Sequence, residues 1–436
     1  MGPNAQPNSK ALFGWVMYDF ANSAFTTLIV TFIYATYFTK AIAANEIVGT
    51  ALWSRAVTIS ALLVALLSPV FGALADQGNN RRGYLIGFTL LAIISAALLY
   101  LPLPGQTLFA LSLFVLGNTA FEMASVFYNA YLPDLTPASK IGTISGLGWG
   151  VGYAGGLAAM ALAMVTLVNP ATPWFGLSRE LGQNIRATNL LVALWLALFS
   201  LPMFILVRDA KAPASGQGRG PFSAFAEILA TMGELGRYRQ VARFLVARLF
   251  YNDGLNTIFA FGGIYAAGTF AFSFQEIMLF GIVLNIAAGL GAFTFGYFDD
   301  RWGGKRTVLL SLAGLSLAAL TAVLTSSRPL FWLAGIMIGI FSGPNQSASR
   351  SLLARFTPPD KEGEFFGFFA FSGKFAAFLG PFLFGLCTSL FASQRAGVAT
   401  VLLFFVIGGA ILATVDEGEG VRLCQRCNHL QGQANA

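Results

Sequence analysis

Apolar residues along this chain fall into long blocks separated by brief polar stretches. The blocks are about 20 residues long, the length a helix needs to cross a bilayer, and they recur from one end to the other. They predict helices near 11–39, 52–75, 84–102, 106–132, 141–168 and 188–207. A second set is predicted near 241–270, 275–298, 306–325, 330–356, 364–391 and 397–415. The first block follows a short polar start, Met1 to Lys10, and runs to about Phe38. That is too long for a signal-peptide core and lacks a small-residue cleavage site, so it reads as a retained helix.

The longest polar gap, Arg208 to Gln240, holds Pro213-Ala-Ser-Gly-Gln-Gly-Arg-Gly-Pro221 and separates six helices from six. Its composition is that of a flexible linker. The expected organisation is an N-terminal bundle over 1–207, a linker over 208–240, a C-terminal bundle over 241–415 and a tail over 416–436.

Composition agrees with this pattern. Only 10% of the 436 residues are charged and 56% are hydrophobic, with a mean hydropathy of +0.69. Soluble domains carry roughly 25% charged residues, so this chain lacks the polar surface to coat itself in water. The 48 glycines suit close helix packing in lipid, and the 42 phenylalanines and 7 tryptophans suit lipid-facing and interfacial positions. A polytopic, all-α membrane protein of twelve transmembrane helices is expected.

The net charge of +7 would by itself suggest a nucleic-acid partner, but the placement of the basic residues explains it without one. With the N-terminus inside, 18 Lys/Arg fall on the cytoplasmic side, 6 on the other, and Arg248 and Lys374 inside spans. Basic residues are retained on the cytoplasmic side, so both termini are expected there.

The two halves echo each other. Gly72-Ala-Leu-Ala-Asp76-Gln-Gly-Asn-Asn-Arg81-Arg82 follows the second helix, and Gly296-Tyr-Phe-Asp-Asp300-Arg-Trp-Gly-Gly-Lys305-Arg306 follows the eighth. A shift of 224 positions superposes Gly on Gly, Asp on Asp and one basic pair on the other. Asp in such a turn caps a helix N-terminus or pairs with Arg. Thr136, Pro137, Lys140, Gly146 and Gly152 recur at a shift of 221 as Thr357, Pro358, Lys361, Gly367 and Gly373. Asp19 and Asn22 in the first helix match Asp253 and Asn256 in the seventh, three residues apart and on one helix face in each case. Repeats of six helices are a transporter architecture, with the site between the halves.

At these residues the chain resembles the major facilitator superfamily. The Gly-x-Leu-x-Asp and Arg-Arg stretch is similar to the superfamily's signature loop between helices 2 and 3, although Asn79 stands where a Gly is expected. Three further segments resemble the vacuolar-effluxer-like branch, which includes fungal vacuolar (autophagy-related) amino-acid exporters and many bacterial members. They are Trp15-Val-Met-Tyr-Asp19-Phe-Ala-Asn22-Ser-Ala-Phe25, Arg248-Leu-Phe-Tyr-Asn-Asp253-Gly-Leu-Asn256-Thr and Gln346-Ser-Ala-Ser-Arg350 with Ala354-Arg355-Phe-Thr-Pro-Pro359. The resemblance implies a major facilitator fold of two pseudo-symmetric six-helix bundles. It also implies that helices 1, 4, 7 and 10 line a central cavity. In the fifth helix, Gly148-Trp-Gly-Val-Gly152-Tyr-Ala-Gly-Gly156 resembles an exporter-associated motif with Tyr153 in place of its Pro; close helix packing explains the same glycines.

Asp19, Glu122, Arg248, Asp253, Arg350 and Lys374 fall inside predicted spans. Each ionisable group at mid-helix costs about 2.5–3.5 kcal/mol against lipid, or roughly 15 kcal/mol together, so they must line a wet cavity, pair, or lose their charge. With Asn22, Asn256, Asn345 and Gln346, all but Lys374 sit on the four helices named above. Glu122 has no basic neighbour on its own helix and is the first choice for a proton site; the alternative is a buried pair with Lys374. Asp19 and Asp253 either hold the first and seventh helices together or join substrate and proton exchange. Arg248 and Arg350 offer the fork geometry that receives a substrate carboxylate.

Other chemistries find little support. His429 is the only histidine, so neither a His-based triad nor a His-x-x-x-His zinc site can form within the membrane. Cys424-Gln-Arg-Cys427-Asn-His429 offers three possible ligands and misses the haem-attachment spacing by one residue. Cys387 reads as a small buried hydrophobe. No Gly-x-x-x-x-Gly-Lys loop is present, so ATP-driven transport by this chain is not expected. No enzyme activity, catalytic residue, metal or cofactor is expected. The leading reading is a monomeric secondary transporter in the bacterial inner membrane that exchanges a small metabolite such as an amino acid, coupled to protons. Gly72, Asp76, Arg81, Arg82, Gly296, Asp300, Lys305 and Arg306 would latch its cytoplasmic side. A proton/drug antiporter and a non-transporting membrane scaffold or sensor are the alternatives.

Overall fold

The computed structural model describes residues 8–209, 238–358 and 361–424. Most of the expected linker, and Cys427 and His429 of the tail, lie outside the described residues.

Among the described residues twelve long helices follow one another: α1 Ser9–Ile42, α2 Glu46–Gln77, α3 Arg81–Leu98, α4 Thr107–Ala130, α5 Ile141–Ala163 and α6 Gln183–Leu206. After the linker come α7 Arg239–Phe270, α8 Phe274–Trp302, α9 Gly304–Leu324, α10 Arg328–Phe356, α11 Glu362–Leu390 and α12 Gln394–Ala413. No strand occurs among the described residues. Ten of these helices are long and apolar enough to cross a membrane. The other two, α7 and α10, are 32 and 29 residues long, and they carry Arg248, Asp253, Arg350 and Arg355. Their polarity is tolerable because those residues face other helices rather than lipid.

Short polar residues start several helices. Asn8 caps α1, Asn45 caps α2 and Asn80 caps α3, each side chain accepting from backbone N–H groups of the first turn. Ser273 and Glu276 form a capping box on α8. α1 widens into π-helical turns over Phe25–Phe32, where Thr26, Thr27 and Thr31 come to line a cavity. α11 breaks one turn before Gly380-Pro381. Residues 375–378 form turns between Glu362–Lys374 and Leu379–Leu390. Proline lacks an N–H and its ring collides with the carbonyl four residues back, so the disruption falls before Pro381 rather than at it.

The packing repeats in the two sets of six. α1 packs on α6 as α7 packs on α12, and α3 on α4 as α9 on α10. The sets meet chiefly along α5 with α8 and α2 with α11. Glycine permits both approaches. A Cβ on Gly72 would run into the Gly363 carbonyl oxygen, and one on Gly296 would lie 2.8 Å from the carbonyl oxygen of Gly142.

Candidate functional site

Both loops singled out by the internal repeat lie at one end of the bundle, against the opposite half. Asp76 accepts from the N–H groups of Gly363 at 2.9 Å and Glu364 at 2.8 Å, capping the start of α11. Asp300 accepts from Gly142 at 2.7 Å and Thr143 at 2.8 Å, capping the start of α5. The two acids are 224 positions apart and the two pairs of donors 221 apart, so one contact is made twice. A carboxylate at a helix N-terminus is favoured by the exposed N–H groups and the helix dipole.

Arginines reinforce each cap, by different means. Arg81 lies 3.0 Å from Asp134, 3.7 Å from Glu362 and 4.0 Å from Asp76. Its repeat counterpart, Lys305, instead donates to the Ala413 carbonyl, and Arg306 is exposed. The ionic role in the second half passes to Arg355 on α10, 2.8 Å from Asp299, 3.1 Å from Asp300 and 3.6 Å from Glu417. Arg82 donates to the Phe204 carbonyl at 2.5 Å. Asp209, just beyond α6, caps α3 through the Arg82 N–H, and Glu417, just beyond α12, caps α9 through Gly304 and Lys305. Each half thus ties its sixth helix to its third with one carboxylate.

Above this sealed end lies a cavity of about 600 Å³ between the halves. It extends from Arg350 to Phe32, Ile277 and Phe331 at the opposite end. Arg350 forms its floor and is 3% exposed. From α10 it reaches into the other half, donating to Asp19 Oδ2 at 3.2 Å, Asn129 Oδ1 at 3.1 Å, Ser145 Oγ at 2.9 Å and the Ser145 carbonyl at 2.7 Å. Its guanidinium lies over the Trp15 ring, 4.7 Å from the centroid, a cation–π contact that also shields it from water. A buried arginine this fully partnered is a fixed bridge in this conformation.

The remaining intramembrane groups separate into distinct environments. Glu122 and Lys374 form an ion pair at 2.6 Å across the halves, with side chains 24% and 30% exposed to the cavity. Arg248 donates to the Phe369 carbonyl at 2.7 Å and Ser372 Oγ at 3.0 Å, and stacks on the Phe369 ring. Asp253 is 2% exposed and accepts from the Gly380 N–H at 2.7 Å. Asp19 and Asp253 therefore do not join α1 to α7; one holds α10 and the other α11. Asn22, Asn256 and Gln346 line the cavity. Asn345 points away from it, donating to Ser311 Oγ on α9 at 2.9 Å.

Sequence reading missed Trp15, Asn129 and Ser145 around Arg350, Asp134 and Glu362 around Arg81, and Asn252 beside Asp253. The repeat itself held a signal for one of them. Asn129 is 221 positions from Arg350, the same shift that aligns Gly142 with Gly363.

Residues 41–425 match the family model described as vacuole effluxer Atg22 like. The MFS-type transporter YxiO of Bacillus subtilis (strain 168), uncharacterized by its own name, is 26% identical over 95% of this chain and 97% of its own. Autophagy-related protein 22 of Coccidioides immitis (strain RS) is 22% identical over 84% and 72% respectively. Among solved structures, the human organic anion transporter MFSD10 (TETRAN) matches with a TM-score of 0.74 at 15% identity, over 94% of this chain and 100% of its own. The major facilitator transporter FucP in its outward conformation matches at 0.73 and 13% identity, over 94% and 98%. Such likenesses show the major facilitator fold.

Proposed function

Because the chain belongs to the vacuole effluxer Atg22-like family, within the major facilitator superfamily, we propose that it moves a small metabolite, an amino acid or a similar molecule, by proton-coupled alternating access. It is an integral membrane transporter of the major facilitator type. The observation that carries the mechanism is the pairing of a sealed end with a largely apolar cavity that holds a few charged groups. Asp76 and Asp300 close one side by mirrored contacts, while the cavity above Arg350 extends toward the other. Two bodies, 1–207 and 241–415, rocking about the Asp19–Arg350 level would expose that cavity to each side in turn. The basic loops support a cytoplasmic sealed side, with both termini inside, by the positive-inside rule; the working unit is read as a monomer in a bacterial inner membrane.

The cavity offers charges of both signs together with aromatic walls, including Phe121, Trp149, Tyr153 and Phe261. Glu122 and Lys374 present one charge each to the same space, the complement of a zwitterion carrying an apolar side chain. Purified protein is to be screened by thermal shift against amino acids, peptides, sugars and drugs, since a ligand of the folded state raises its stability. Flux of the best ligand in proteoliposomes then tests the coupling. A rate indifferent to an imposed pH gradient removes the proton from the mechanism.

A further inference from the structure

α11 is divided between the halves. Its inner segment, Glu362–Lys374, lies along α2, where Ser68 Oγ donates to the Gly367 carbonyl at 3.0 Å and Gly363 meets Gly72. Its outer segment, Leu379–Leu390, packs on α12 and α7 of its own half. The inner segment also touches α7, but its main hold is on α2 of the other half; that hold ends at the turn over 375–378, which is where movement of one half against the other can be taken up.

Three side chains of α7 close on that turn. A broken helix inside a membrane strands backbone groups that have no water to satisfy them. Asn252 donates to the Gly373 carbonyl at 3.1 Å and Arg248 to the Phe369 carbonyl at 2.7 Å, while Asp253 accepts from the Gly380 N–H at 2.7 Å. Two donors thus hold the end of the inner segment and one acceptor caps the outer. The Arg248 to Asn256 motif, with no cap or catalytic role apparent in sequence, is the strip of α7 that supplies them.

Asp253 also differs from the other two carboxylates of the cavity region. Asp19 contacts Arg350 and Glu122 contacts Lys374, whereas Asp253 makes no ion pair among the described residues. Its second oxygen, Oδ1, is buried and without a hydrogen-bond partner. The titratable groups facing this region are Arg248 and Tyr251 on α7, Lys374 and Cys387 on α11, Glu122 on α4 and Arg350 on α10. Tyr251 bonds Ser349 and the four charged groups are engaged as above; none bonds the Asp253 carboxylate. Next to Asp253, Gly254 faces Phe404 and Phe405 of α12. A carboxylate with a single hydrogen bond at this depth is costly, and a bound proton removes the charge while leaving Oδ2 free to accept from Gly380.

We propose that Arg248, Asn252 and Asp253 form a clasp on the α11 turn, that this turn is the hinge of the transport cycle, and that Asp253 carries the coupled proton while the clasp is closed. The hinge of a transport cycle and the proton's role rest on the transporter reading above; the clasp on the turn does not. Loss of the proton leaves a charge that one backbone N–H cannot support, so the turn must rearrange or hydrate.

The test needs no substrate. Ile47→Cys and Leu390→Cys, 84% and 70% exposed at the outer ends of α2 and α11, take spin labels after Cys387, Cys424 and Cys427 are changed to serine. In lipid nanodiscs the distance between the labels should shift on going from mildly acidic to mildly alkaline buffer. Asp253→Asn keeps the acceptor for Gly380 and should hold the acidic distribution in both buffers, while Glu122→Gln should keep the shift. An Asp253→Asn protein that shifts as the parent does, or a parent that does not shift, overturns the assignment of the proton. Asn252→Leu tests the clasp separately and should broaden the distribution in both buffers; an unchanged width removes the clasp. A parent whose hinge responds to pH but which carries no ligand in flux assays counts against the transporter reading alone.

Discussion

Asn129 and Arg350 occupy equivalent places in the two halves, 221 positions apart, and meet at 3.1 Å. Two repeat-related positions touch only where the pseudo-symmetry axis passes between them, so this contact marks the centre of the molecule. The same guanidinium holds Asp19, 331 positions away, in a setting with little water. Removing one partner of a buried pair leaves the other charged and unsupported, a loss of about 3–5 kcal/mol. Arg350→Ala is expected to lower stability by that order in denaturant unfolding in detergent. Adding Asp19→Asn should recover about 1–3 kcal/mol of it. A double variant no better than the single would show that Asp19 is not the group left exposed.

The mirrored caps make a symmetric expectation. Asp76→Asn and Asp300→Asn each keep an acceptor but lose the charge that favours a helix N-terminus, worth about 0.3–1 kcal/mol. The first should raise the labelling rate of Ser68→Cys and the second that of Ser347→Cys, both buried between the halves, and by similar factors. If one variant labels as slowly as the parent, the two caps do not share a role.

Close approach at Gly72 is expected to be required for sealing rather than for folding. Gly72→Leu places a side chain against the Gly363 carbonyl, which the closed interface cannot accommodate. The variant should remain monodisperse by size exclusion yet show faster labelling at Ser68→Cys. Unaltered labelling would mean that α2 and α11 part without consequence for the seal.

Glu122 and Lys374 should behave as a pair. Either Glu122→Gln or Lys374→Met alone leaves a single charge facing the cavity, whereas the double variant removes both. Ligand-induced thermal shift should fall in all three, while the stability of the unliganded protein should fall less in the double than in either single. A full ligand response in the double variant would place the ligand elsewhere.

Much of this was legible in the chain. Hydropathy located the long helices of the described residues, with ends off by up to about six residues, because length and apolarity are local properties. The 224-position echo located both caps because the two copies kept Gly, Asp and a basic pair. Partner choice was not legible. Whether Glu122 stands alone or meets Lys374 depends on how α4 and α11 are rotated, which no single helix encodes. The second gate was misread for a similar reason: its basic pair repeats in sequence, yet Arg355 from α10 reaches Asp299 and Asp300 first.

In the cycle proposed above, the two caps, Asp76 on α11 and Asp300 on α5, would act as locks in parallel on one door. Freeing either leaves the other fastened, so the sealed side opens only when both are released within the same excursion. Equal and independent locks multiply their improbabilities. Leakage through a half-released state is therefore rare, and a modest bias applied to both locks at once changes the open population steeply.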